Sequence, residues 1–336
     1  MRLLSILAAA LVFTVAEGPG VARPSAPEPM PVYDLRVSLL ENVEQPNRKI
    51  WQGLGQAGIV QLRQGHVQAV LTMFSAAPGE TSDSKLAARF TGFRSALAST
   101  KAFEPGRCPA GPGRITTWFE LDAPALLAGA PEEALSWTAR GVRVFSLATS
   151  HDSELSTSAF PSGPARVVGL SEPGRRAVET IMRAGALVDV SGLSDVALLE
   201  TLELSKQLGV PVIATRASAR AVRNRPGSLS DEQLRAIAAT GGVVALTFDR
   251  DAIGDGTRAE LPDVLRQLRH LVRVAGPEAV ALASGFESGA IPPAGLGSAA
   301  RFPRLVEALM ADGMPRATVS NVFHDNAARL LCGAKP

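Results

Sequence analysis

Side chains able to bind a metal, shuttle protons or attack a carbonyl are scarce in this chain, which holds 4 His and 2 Cys. A zinc hydrolase needs imidazole nitrogens and carboxylates converging on one ion, so the positions of the histidines are a sharp test. His66 precedes an apolar run, His270 stands in a helical stretch and His324 lies near the last helix. A lone imidazole in such places satisfies a local hydrogen bond. His151 differs, because it follows an apolar run at the end where barrel enzymes carry their chemistry. Cys108 and Cys332 fit no metal-knuckle spacing. In an oxidising compartment they could pair, but sequence alone does not show that they meet.

The sharpest positive feature is a pair of arginines, Arg36 and Arg216, each at the end of an apolar run. A guanidinium buried there needs an anionic partner. One reading is an internal ion pair with Glu120, Asp34 or Glu287. The other is a bidentate site for a carboxylate or phosphate ligand. Two weaker patterns add little. The loop from Asp249 to Glu260 matches a calcium loop at four places, but Ile253 stands where a ligand should. No Gly-x-Ser-x-Gly elbow accompanies a His–Asp pair.

These residues are placed by an alternation of two periodicities. Short β-branched runs lie near 32–37, 68–74, 115–120, 142–148, 186–191, 210–215, 242–248 and 279–284. Helical stretches separate them, among them Asp122 to Arg140, Glu172 to Ala184, Asp195 to Leu208 and Asp231 to Thr240. Ser194 and Ser230 are suited to N-caps, and Ser230-Asp231-Glu232-Gln233 reads as a capping box. Runs such as Ala186-Leu-Val-Asp-Val-Ser are nearly all apolar, as in parallel strands buried on both faces. The pattern predicts a single (β/α)₈ barrel over 32–332, with its chemistry at the C-terminal ends of the strands. A doubly wound sheet is the competing arrangement, but no Gly-rich phosphate loop opens any helix.

The chain of 336 residues, 46% hydrophobic and 20% charged, is long enough for a large core. Its 34 basic and 32 acidic residues give a net charge of +2, too little to attract nucleic acid. Met1-Arg2 and the apolar run Leu3 to Val15 read as a signal peptide over 1–22. A Pro-rich linker over 23–31 follows. Export to a periplasmic or extracellular location is expected, with no transmembrane segment in the mature chain.

From Gly169 to Phe248 the chain resembles the membrane (renal) dipeptidase family, zinc metallopeptidases on a (β/α)₈ barrel. Gly169-Leu-Ser-Glu-Pro-Gly174, Ala186-Leu-Val-Asp-Val-Ser-Gly192-Leu-Ser-Asp195 and Pro211-Val-Ile-Ala-Thr-Arg216-Ala-Ser-Ala-Arg220 carry the resemblance, with Gly241-Gly-Val-Val-Ala-Leu-Thr-Phe248. The family's reactive residues are nearly all replaced. Its first-strand Asp-Gly-His-Asn-Asp is here Asp34-Leu35-Arg36-Val37-Ser38, and its Leu-Ser-His is Val190-Ser191-Gly192. Its Ser-His-Ser-Ser-Ala-Arg is Thr215-Arg216-Ala217-Ser218-Ala219-Arg220, and its Gly-Ser-Asp-Phe-Asp-Gly is Ala283-Ser284-Gly285-Phe286-Glu287-Ser288. The substrate-binding Arg of His-Pro-Arg-Asn falls at Gly227, and the catalytic His falls at Thr149, two residues before His151. Only the bridging glutamate survives, as Glu120.

The resemblance implies a family member that has lost its zinc centre. It would bind a small anionic or peptide ligand through Arg36, Arg216, Glu120, Glu287 and Asp34, with no cofactor and catalytic candidates only in His151 and Glu120. The competing expectation is a metallodipeptidase working through an altered or single-zinc site. Family members are often dimers, although nothing in the residues shows a dimer surface.

Overall fold

In the computed structural model, which describes residues 29–39, 55–77, 79–160, 169–255 and 257–333, every expected apolar run forms a strand. The strands are β1 (Val32–Asp34), β2 (Val67–Ser75), β3 (Phe103–Pro105), β4 (Ile115–Asp122), β5 (Val142–Ser146), β6 (Leu187–Asp189), β7 (Ile213–Ala217), β8 (Val243–Thr247) and β9 (Val280–Ala283). All pair in parallel. β1 joins β2 on one side and β9 on the other, and β2 joins β4, so eight strands close into a ring. The closed parallel barrel expected from the alternation is therefore present. The leader expected over 1–22 and residues 23–28 of the linker lie outside the described residues. Among the described residues, no helix is long and apolar enough to cross a membrane.

Two details depart from expectation. β3 is a ninth strand that pairs with the start of β4 (Phe103↔Ile115), and three residues are too few to show a period in sequence. The helix expected from Asp122 to Arg140 is two, Pro124–Gly129 and Glu133–Ala139. Pro131 lies between them, where its ring and missing N–H interrupt a helix.

Strand side chains alternate between two cores. Val70, Phe74, Phe119 and Phe145 face outward against the helices. Tyr33, Leu35, Leu71, Trp118, Val144, Leu187 and Ile213 fill the barrel's inside. A step of two residues along each strand then reaches the next interior layer, nearer the C-terminal ends. That layer reads Met73, Glu120, Ser146, Asp189 and Thr215. The apolar plug thus ends in a polar ring, which is where the barrel opens.

At the opposite end, Cys108 and Cys332 form a disulfide, with Cα atoms 5.6 Å apart. It joins the loop before β4 to the final helix, Asn326–Cys332.

Candidate functional site

Arg36 follows β1 and turns its guanidinium into the polar ring. Nη1 donates to Thr215 Oγ1 at 3.1 Å and lies 3.8 Å from Glu120 Oε2, while among the described residues Nη2 meets only the Met73 thioether, at 3.8 Å. Thr215 Oγ1 donates onward to Asp189 Oδ2 at 2.6 Å, and the Ser146 hydroxyl donates to Glu120 Oε1. Arg36, Glu120, Asp189 and Thr215 are all buried. Burial and the charge of Asp189 hold the Glu120 carboxyl above the ordinary range, against the opposing pull of Arg36.

Arg216 enters the mouth from β7, anchored at both ends. Its backbone N–H donates to Ser191 Oγ at 2.8 Å, and Nη2 donates to the Thr149 carbonyl at 2.8 Å. Burial and the neighbouring Arg36 charge pull its pKa down to about 10, so it stays cationic at neutral pH. Asp122, at the end of β4, is raised by burial while Arg36 and Arg216 pull it down. Thr149 Oγ1 donates to it at 3.4 Å.

The remaining expected residues separate into two groups. Asp34 is wholly buried under the mouth, where Oδ1 accepts backbone N–H groups of Arg36 (3.2 Å) and Ser284 (2.8 Å). Burial raises its pKa to about 6. Glu287 does not join the arginines. Its backbone, at φ 65°, directs Oε1 onto the N–H groups of Gln56 (2.5 Å) and Ala57 (2.9 Å), so it clamps that segment to the barrel top. His151 is exposed, with Nδ1 3.1 Å from Ser150 Oγ. It lines a cavity of about 460 Å³ with Asp122, Thr149, Asp152 and Glu154, beside the mouth rather than within the polar ring. His270 pairs with Asp231 at 2.7 Å and His324 with Asp325 at 2.7 Å, both local structural roles. The acids of the 249–260 loop serve as caps and turn acceptors: Asp249 accepts from the Asp251 N–H and Asp255 from those of Thr257 and Arg258.

Sequence reasoning missed Asp189, Ser146 and Thr215. All three lie two residues beyond interior apolar side chains, so the period-2 rule carried the signal once the inward face was known.

The donor set does not fit a divalent cation. Among the described residues, no three His, Cys, Asp or Glu side chains converge as a metal would require. The three positions that the sequence resemblance aligns with family ligands hold the guanidinium of Arg36, Gly192 and the guanidinium of Arg216, and fixed positive charge repels a cation at short range. Gly192 is closed to any ligand side chain. Its φ is 80°, and a Cβ there would stand 2.3 Å from the Thr149 carbonyl oxygen and 3.1 Å from Arg216 Nη2.

A closed parallel ring with a polar, charged mouth at the strand C-termini defines a (β/α)₈ barrel. The model of the membrane dipeptidase (peptidase family M19) matches residues 113–335, and the chain belongs to that family. A protein of Klebsiella pneumoniae, described as uncharacterized and encoded in the pqqA 5′ region, is 31% identical over 176 residues, 51% of this chain and 64% of that protein. Mouse dipeptidase 3 is 27% identical over 165 residues, 49% of this chain and 33% of that protein. The chain therefore spans between a third and just under two thirds of these relatives. Among solved structures, the dipeptidase AC, a metallopeptidase of family M19, superposes with a TM-score of 0.78 at 23% identity, over 90% of this chain and 98% of that one. A metallopeptidase from Rhodobacter sphaeroides, liganded with a phosphinate mimic of the dipeptide L-Ala-D-Ala, gives 0.78 at 21% identity, over 90% of this chain and 99% of that one.

Proposed function

We propose that this protein is a member of the membrane dipeptidase family in which an internal ion pair has replaced the zinc centre, and that it binds a small anionic or peptide ligand without hydrolysing it. The observation that carries this reading is the position of Arg36. Its guanidinium lies 3.8 Å from Glu120, and the sequence resemblance aligns Arg36 with a ligand imidazole of the family and Glu120 with the family's bridging carboxylate. A cation and this arginine would compete for the same carboxylate. Binding is supported by donor capacity left over among the described residues, where Arg36 Nη2 faces only the Met73 thioether. The disulfide and the leader-like N-terminus support export to an oxidising compartment.

The test is the metal content of protein purified without chelators, with dipeptide hydrolysis assayed with and without added zinc. The expected result is no stoichiometric zinc and no zinc-stimulated turnover. Stoichiometric zinc, or hydrolysis abolished by Glu120→Gln, overturns the reading in favour of an altered single-metal dipeptidase.

A further inference from the structure

At the floor of the barrel, the far end of the strands from the polar ring, lies a cavity of about 550 Å³, within the range of small-molecule sites. Its bed is apolar, formed by the Tyr33 ring, Val67 and Ile115, all buried, and flanked by prolines. Its polar rim is basic, with Arg63, His66 and Arg114, and none of the described residues that line it is acidic. The wall carrying Arg114 is preorganised. The Cys108–Cys332 disulfide ties that loop to the last helix, and Thr116 Oγ1 accepts from the Ala110 N–H at 3.0 Å and donates to the Arg107 carbonyl at 2.7 Å. Glu104 Oε2 accepts the Gly111 N–H at 2.7 Å, while its Oε1 lies 3.8 Å from Arg114 Nη1. The Arg114 side chain is 43% exposed, so that pairing is weak and leaves the guanidinium available. Across the cavity, His66 stands at φ 55°, a backbone region open to Gly but strained for a residue with a side chain. Its N–H donates to the Arg63 carbonyl at 3.1 Å and its carbonyl accepts from the Val32 N–H at 3.0 Å, which fixes the turn at the rim. The chain thus carries an imidazole where the backbone alone favours no side chain, a form of strain that collects at binding sites.

We propose that this floor cavity is a second binding site, for an amphipathic monoanion. The apolar body of the ligand rests on Tyr33, Val67 and Ile115, and its anionic group meets Arg63 and Arg114 at the rim. An apolar bed selects against a bare inorganic anion, and a rim without acid selects against a cation. Two guanidinium groups less the charge of Glu104 leave a single positive excess, which suits one negative charge. The site shares no residue with the polar ring, so it goes beyond the ligand-binding reading above and does not depend on it.

Calorimetric titration of the full chain with naphthalenesulfonate, with the uncharged naphthalenesulfonamide and with methanesulfonate tests the assignment. Naphthalenesulfonate should bind one per chain, and the other two should bind at least tenfold more weakly. Arg63 and Arg114 are exposed, so Arg63→Gln and Arg114→Gln should fold normally by circular dichroism, and each should weaken the probe at least fivefold. His66→Gly suits the left-handed backbone, so it should keep the urea midpoint at least as high as the parent's and still weaken the probe. Equal binding of sulfonate and sulfonamide, displacement by methanesulfonate at equal concentration, or no binding at all overturns the proposal. Unchanged affinity in the two arginine variants and in His66→Gly overturns it as well. Loss of binding in Arg36→Gln with Arg63→Gln unaffected would put the probe at the mouth, overturning the floor site while leaving the ligand-binding reading standing.

Discussion

Asp34 is buried beneath the mouth with Oδ2 lacking a hydrogen-bond partner among the described residues, so its charge is held at a cost. Its pKa rises from 3.8 to about 6, with burial as the chief cause. Between those values the folded chain keeps a proton that the unfolded chain has shed. Stability therefore falls as pH rises through that window, by roughly 3 kcal/mol once Asp34 is ionised. Asp34→Asn should remove that slope in urea denaturation and be at least as stable as the parent at pH 8; an unchanged slope would refute the argument. Arg36 poses the opposite case. Truncation to Ala removes the cation beside Glu120 and the hydrogen bond to Thr215; because the raised carboxyl can take up a proton, the cost should be roughly 1–3 kcal/mol, whereas Arg36→Met with Glu120→Leu should cost well under the sum of the single changes. Additive losses would show that the two side chains do not interact. Sequence exposed Arg36, Arg216 and Glu120 because strand ends are readable from periodicity. It put Glu287 with them wrongly, since a left-handed backbone at that residue turns the side chain toward Gln56 and no linear pattern signals such a turn.

At the scale of elements, local chemistry was the legible part. Ser194 and Ser230 cap their helices, accepting from Ala197 and Gln233 backbone N–H groups at 3.2 and 3.3 Å. At Ser230 the box is complete, because Gln233 Oε1 accepts from the Ser230 N–H at 2.8 Å. Ser230→Ala should cost about 1 kcal/mol, and adding Gln233→Ala should cost less than a second full cap, because the two bonds share one turn. Chemical denaturation of the single and double variants decides this; a neutral Ser230→Ala would mean that solvent replaces the bond. Strand positions were legible for a related reason, since a parallel strand covered on both faces must be apolar throughout. What stayed hidden was which alternate residues face inward. Asp189 and Thr215 look like ordinary polar interruptions until the register of the neighbouring strands places them beside Arg36.

For the molecule as a whole, the barrel closes where the first described strand meets the last. β1 and β9 share one register pair, Asp34↔Leu282, with a further bridge at Val37↔Phe286. Below that seam the final helix closes the barrel floor, with Ala327, Ala328 and Leu331 packed into the interior core. Asn326 Nδ2 ties it to the start of β9 through the carbonyls of Pro277 and Val280, both at 2.8 Å. The disulfide then fixes the helix end to the loop before β4, closing a loop with a sequence separation of 224 residues. Constraining so long a loop in the unfolded chain should be worth roughly 2–5 kcal/mol. Reductant should accordingly lower the urea midpoint of the parent. The Cys108→Ser/Cys332→Ser variant should unfold at that lower midpoint with or without reductant. Because the mouth lies at the opposite end of the strands, ligand binding there below the transition should be unaffected in both. A parent midpoint indifferent to reductant would mean that helix packing alone holds the floor closed.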